Sequence, residues 1–222
     1  MNDLSYQFLS SFIAMFIPLL FTAFMIDNKD SRRIILYFCW GLFSGVLAFN
    51  LNNHFGAQWG QSERMVLSIA PMIEEVCKGL PVLLFLNRKR YPQITKLIVF
   101  CAMASGVGFS IQETMYYFAI SPREVGDIAS LVVRTFTTAL MHSMTTAAFG
   151  IGLMLLHRQK QIIVPLVFGL FALSASIHAL FNLLLQTYLA VIALIMPLAM
   201  FAAGWWIVRN ITGSDTRLAV YR

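Results

Sequence analysis

Apolar residues along this 222-residue chain gather into seven long runs, at about 4–26, 34–51, 65–86, 97–120, 131–156, 162–184 and 188–208. Short polar stretches separate them. At ~1.5 Å of rise per helical residue, runs of this kind are long enough to cross a hydrocarbon core of ~30 Å as α-helices. Together they use most of the chain and leave no soluble domain, Pro-rich linker or low-complexity tract. The pattern predicts an all-α polytopic transmembrane bundle of about seven helices, with residues 1–222 forming one transmembrane domain. The first run lacks a basic segment before it and a convincing small-residue cleavage site after it, so a retained helix is expected there rather than a signal peptide.

Composition agrees with that reading. The chain is 59% hydrophobic and 12% charged, about half the ~25% charge of an ordinary soluble domain. The formal charge of +6 raises the question of nucleic acid, but the positions of the basic residues answer it differently. Lys29, Arg32 and Arg33 follow the first run, and Arg88, Lys89, Arg90 and Lys96 follow the third. Arg158 and Lys160 follow the fifth, and Arg209, Arg217 and Arg222 the seventh. Alternate loops carry only Arg64, Arg123 and Arg134. This is the positive-inside pattern for a multi-pass protein of the cytoplasmic (inner) membrane, with the N-terminus outside and the C-terminus in the cytoplasm. The basic residues are expected to set topology and meet anionic lipid of the bilayer, with no nucleic-acid partner. Cys39, Cys77 and Cys101 all fall within predicted helices, where an odd number of thiols suits packing rather than a disulfide framework.

The third run breaks the apolar rule. It contains Ile73-Glu74-Glu75-Val76-Cys77-Lys78, three ionisable groups within five residues. Each costs ~2.5–3.5 kcal/mol near the centre of a membrane helix, so their presence points to a site. Counting helical rise from the outer ends puts Glu74 and Glu75 roughly 15 Å deep, Glu113 about 10 Å, His142 near ~16 Å and His178 near ~9 Å. Four successive helices thus carry ionisable groups in the outer half of the bilayer. Lys78 is four residues after Glu74 and three after Glu75, within reach of either carboxylate. His178 and Asn182 share a face, as do Phe109 and Glu113. Pro71 can bend the third helix and free a carbonyl, while Ala104, Ser105, Gly106 and Gly108 permit close packing of the fourth.

Two histidines and several carboxylates at one level suit zinc or another divalent metal, with Glu75, Glu113, His142 and His178 as candidate ligands. Glu74 or Glu75 could act as general base, and Asn182 or Lys78 could stabilise an oxyanion. Adjacent helical positions differ by ~100°, so one of the two glutamates is expected to face the cavity, and the spacing does not say which. A glutamate coupled to a histidine could also activate water without a metal. Lys78 suits simple neutralisation of a glutamate equally well, and Asn182 could serve only to orient His178. His54 and His157 lie at loop edges and are expected to be solvated. Asn50, Asn52 and Asn53 lie near the outer mouth of the bundle.

The ordered set Glu74-Glu75-x-x-Lys78, Phe109-x-x-x-Glu113, His142 and His178-x-x-x-Asn182, spanning about 65–185, resembles the PrsW family of bacterial intramembrane proteases. That family is a branch of the group holding the type II CAAX-processing enzymes and the scaffold subunit of gamma-secretase. The resemblance implies a membrane-embedded protease, metal- or glutamate-dependent, whose best-known relative makes the extracytoplasmic cut in a single-pass anti-sigma factor. It implies Glu74 and Glu75 as the base pair of residues, His142 and His178 as metal or water ligands, and Asn182 as an oxyanion donor. The chain departs from the CAAX-processing branch, which has arginine after the double glutamate and histidine at the position of Glu113. The resemblance therefore does not extend to prenylated substrates.

The expected function is hydrolysis of a membrane-anchored polypeptide. A proton- or ion-coupled transporter would use the same buried groups as a relay, but the chain shows no paired, broken-helix repeat. A haem carrier ligated by His142 and His178 is disfavoured by the neighbouring glutamates and lysine. A non-catalytic scaffold is the remaining alternative.

Overall fold

A computed structural model describes residues 3–59, 65–86, 96–120, 128–156 and 162–219, and every regular element among them is helical. Seven α-helices follow one another: α1 (Asp3–Met25), α2 (Lys29–Trp59), α3 (Ala70–Gly79), α4 (Lys96–Ile120), α5 (Ile128–Leu156), α6 (Ile163–Leu185) and α7 (Ala190–Ala219). The α2, α4, α5, α6 and α7 helices each contain a stretch long and apolar enough to cross a membrane, and α1 carries a shorter one, Leu9–Met25. The chain is a multi-pass membrane protein.

Two helices run further than their apolar runs. The α2 helix begins at Lys29 because Asn28 Oδ1 accepts the backbone N–H groups of Asp30 and Ser31, both at 3.0 Å, and so caps the first turn. It continues through the polar Asn52–Trp59 stretch, and α7 likewise continues past Val208. Arg64, Arg88, Lys89, Arg90, Arg123, His157, Arg158, Lys160 and Arg222 lie outside the described residues.

The third crossing is broken into three kinds of helix. A π-helical turn, Met65–Ile69, leads into the ten-residue α3, which passes into a 3₁₀ segment, Leu80–Leu86. Prolines stand at both junctions. Pro71 lies in the first turn of α3, where its missing N–H is harmless, and Pro81 lies just beyond the last turn, where a continuing helix would need that N–H.

Contacts fix the relative directions of α2, α4, α5 and α6. Gly41 and Gly45 of α2 meet Ser105 and Gln112 of α4, and Phe49 stacks near Tyr116, so these two helices run parallel. Gly106 of α4 lies against the backbone of His142, and Gly150 of α5 against Ala102, so α4 and α5 run antiparallel. Gly152 meets Leu170, and Ser174 Oγ donates to the Thr145 carbonyl at 2.9 Å, which sets α6 antiparallel to α5. A Cβ at Gly41, Gly106 or Gly108 would collide with the backbone of a neighbouring helix. Glycine at these positions is what lets α2, α4 and α5 approach backbone to backbone. The best-buried apolar cluster, including Ile98, Cys101, Ala102, Phe149 and Leu153, lies between α4 and α5, with Val82 and Phe85 packed onto it. The α6 and α7 helices turn most of their length outward, with Phe168, Phe201 and Trp206 on their exposed faces. Cys39, Cys77 and Cys101 are free and buried.

Candidate active site

Glu75 and Lys78 are one turn apart on α3, and the lysine Nζ donates to Glu75 Oε1 at 2.6 Å. The same Nζ lies 2.7 Å from His142 Nδ1, reaching across to α5. An ammonium group has only donors, so Nδ1 accepts and the proton of the neutral His142 ring is assigned to Nε2. That Nε2–H donates to Glu113 Oε2 on α4 at 2.6 Å. On the far side of Glu75, His178 Nδ1 of α6 lies 2.9 Å from Oε1, and the Thr145 hydroxyl donates to the same oxygen at 3.0 Å. The carboxylate oxygen accepts, which assigns the His178 proton to Nδ1 and leaves Nε2 with a bare lone pair. Lysine, a donor that cannot reverse, thus sets the polarity of the whole chain of bonds.

His178 Nε2 is buried and, among the described residues, has no hydrogen-bond partner. It stands 3.6 Å from Glu74 Oε2, too far for a direct hydrogen bond and close enough for both atoms to hold one small polar molecule. Glu74 Oε1 accepts from Asn52 Nδ2 of α2 at 3.2 Å, while Asn52 Oδ1 is buried without a partner. Five helices, α2 to α6, therefore contribute to one polar row running Glu113, His142, Lys78, Glu75, His178, Glu74, Asn52, hydrogen-bonded throughout except for the 3.6 Å gap between His178 and Glu74.

The chain of groups has a dry floor and a wetter rim. Lys78, His142 and His178 are fully buried and Glu75 nearly so. The side chains of Glu74 and Glu113 retain 13% and 20% of their exposure. Phe109 closes the floor, with Lys78 Nζ 4.8 Å from its ring centre and the His142 ring tilted against it. The two imidazoles meet edge to face at 4.8 Å.

Of the residues expected from the sequence, Glu74, Glu75, Lys78, Glu113, His142 and His178 are brought together. Asn182 lies one turn beyond His178 on α6, half-buried, and among the described residues no hydrogen bond joins it to the cluster. Thr145 and the bonding of Asn52 to Glu74 are not expected from the sequence. Thr145 carried one usable signal, its position three residues after His142 on the same helical face. Asn52 carried none stronger than its place near the outer mouth.

The donor set fits a divalent transition metal. Glu75, His142 and His178 each offer a ligand atom within 4.8 Å of the others, two imidazoles and one carboxylate being an ordinary zinc set, and the His178 Nε2 lone pair is already unpartnered. Both nitrogens of His142 are engaged, by Lys78 and Glu113, so ligation through that ring would require one of these bonds to open.

Residues 30–208 match the model of the PrsW family intramembrane metalloprotease, a longer stretch than the motif-bearing 65–185 and one that takes in α2 and most of α7. No curated protein and no solved structure matches the chain.

Proposed function

The chain belongs to the PrsW family of intramembrane metalloproteases, and we propose that it is an endopeptidase that hydrolyses a membrane-anchored polypeptide near the extracytoplasmic side of the bilayer. A single-pass regulatory protein such as an anti-sigma factor is the substrate class this reading favours. The reading places the chain in a bacterial inner membrane, N-terminus outside, so that the site opens toward the outer face. The observation that carries it is the pairing of Glu74, at the rim, with the unpartnered Nε2 of His178 3.6 Å away.

The bonding around the two glutamates supports different roles for them. Glu75 Oε1 receives three donors, from Lys78, Thr145 and His178, which hold the group in place as a carboxylate. Glu74 is held by one amide bond at 3.2 Å and keeps an open edge. We assign Glu74 as general base and Glu75 as the anchor that orients His178 and Lys78. A water bonded to Glu74 Oε2 and His178 Nε2 would lose its proton to Glu74 as its oxygen attacks the scissile carbonyl carbon. Glu74 would then return that proton to the departing amide nitrogen as the C–N bond breaks. Asn182, one turn outward from His178, is the amide assigned to the oxyanion. A divalent metal held by Glu75, His142 and His178 would take the His178 Nε2 lone pair in place of that hydrogen bond and would supply Lewis-acid activation of the water, with Glu74 still the base.

The test is cleavage of a single-pass substrate by purified protein in lipid vesicles, with fragments mapped by mass spectrometry. A product that disappears in Glu74→Gln is expected, and undiminished product in that variant would sink the assignment. Metal content of wild type beside the His142→Ala/His178→Ala double variant reports the cofactor. Near-stoichiometric zinc lost in the double variant is the expected result.

A further inference from the structure

The end of α3 lies one residue beyond Lys78, and its geometry has an unusual cause. Leu80 N–H closes the helix by donating to the Val76 carbonyl. Position 81 is proline, so no N–H follows to serve the Cys77 carbonyl in α geometry or the Lys78 carbonyl in 3₁₀ geometry. Both oxygens face the protein interior, where an unmade hydrogen bond is costly. Both are taken by side chains from other helices. Trp40 Nε1 of α2 donates to the Cys77 carbonyl at 2.9 Å, and Ser105 Oγ of α4 donates to the Lys78 carbonyl at 2.9 Å. Tyr37 OH adds a bond to the Pro81 carbonyl at 2.7 Å. Gly79 between them sits against Phe171 of α6, so that a Cβ there would come within 2.6 Å of the ring.

We propose that Trp40 and Ser105 are positioning residues of the proteolytic site, which fix the depth and rotation of α3 by capturing the two carbonyls that Pro81 leaves open. Lys78 bears one of those carbonyls on its own backbone, while its side chain bonds Glu75 and His142. A helix end held from two sides at that residue leaves the lysine no freedom to slide along or turn about the helix axis. The proline therefore acts together with two donors, Trp40 Nε1 and Ser105 Oγ: it ends the helix, and it exposes the carbonyls by which α2 and α4 grip it. Ser105 has a second part in the same seam, because its own carbonyl stands where a Cβ on Gly41 would be. The inference rests on the proteolytic reading of the site.

The experiment combines cleavage kinetics with thermal unfolding of the full-length protein in lipid vesicles. Trp40→Phe and Ser105→Ala are each expected to lower kcat about tenfold, with KM within about twofold, because the reacting groups are displaced while the substrate-binding rim is left intact. Ser105→Thr, which keeps the hydroxyl, restores the rate. Pro81→Ala provides the decisive arm by returning one backbone N–H. In that background the unfolding penalty of either Trp40→Phe or Ser105→Ala, whichever carbonyl the new N–H reaches, shrinks toward zero. Penalties for both that are unchanged in the Pro81→Ala background would overturn the proposal, as would full kcat in both single variants. If wild type cleaves no substrate, the proteolytic reading fails, and the unfolding measurements still decide whether the clamp exists.

Discussion

The floor and the rim of the polar cluster contain the same kinds of residue but are built on different terms. On the floor, Glu75 Oε1, Lys78 Nζ and His142 are joined by contacts of 2.6–2.7 Å with no access to solvent. At the rim, Glu74 makes one bond of 3.2 Å and one approach of 3.6 Å, and the residues that flank it each carry an atom without a hydrogen-bond partner among the described residues, Asn52 Oδ1 and His178 Nε2. A buried ion pair is expensive to break and contributes little by forming, so the floor reads as an orienting framework. Loosely held, partly open groups are what a reaction needs when a proton must arrive and leave. In the proposed mechanism the floor orients and holds, and the rim carries the proton transfer, although both are built of glutamate and histidine.

The floor is where the largest effects are expected. Glu75→Gln leaves Lys78 buried opposite a neutral amide, a loss on the scale of ~3–5 kcal/mol for a severed buried pair. Both cleavage and the unfolding temperature should collapse, read by product formation and thermal unfolding in vesicles. A stable, fully active Glu75→Gln protein would erase the distinction between floor and rim. Glu74→Gln should divide the two readouts: cleavage falls by about 10²–10⁴-fold while the unfolding temperature holds, because no tight bond is lost. Equal losses in both readouts would return Glu74 to a structural role. Asn52→Ala removes a single long bond and should cost only a few-fold in kcat, about what ~0.6 kcal/mol per interhelical hydrogen bond implies. Asn52→Asp, which faces Glu74 with a like charge, should be the worse of the two, and the reverse order would show that Asn52 serves packing alone. Smallest of all is the Cys39→Ala/Cys101→Ala pair, expected within about twofold of wild-type cleavage because both thiols are buried away from the cluster.

Hydrophobic patterning alone located the seven helices, because a bilayer allows few other ways to satisfy so many backbone groups. It placed the ends of α2 and α7 less well. A capping asparagine starts α2 ahead of its apolar run, and Asn28 is visible as such a cap only once the turn after it is known. The cluster was legible because charge in an apolar run is rare, so Glu74, Glu75, Lys78, Glu113, His142 and His178 stood out singly and their helical depths agreed. The contribution of α2 was not legible. Asn52 and Trp40 look like ordinary polar and aromatic residues of an outer helix, and their partners are a carboxylate and a backbone carbonyl on another helix. Ser105 was read as a small packing residue. Its hydroxyl acquires a task only through Pro81, twenty-four positions earlier in the sequence.

The row of groups from Glu113 to Asn52 also fixes an electrical quantity. With its carboxylates ionised, it holds three negative groups, one ammonium and two neutral rings, an excess of two negative charges in a medium that screens them poorly. Arg134, over the ring of Tyr117, acts on Glu113 only from the rim. A divalent cation would bring the sum to zero, and a peptide carbonyl approaching the site unaided would meet a field that repels its oxygen. Charge neutrality, as well as donor geometry, would then favour a bound cation at this site.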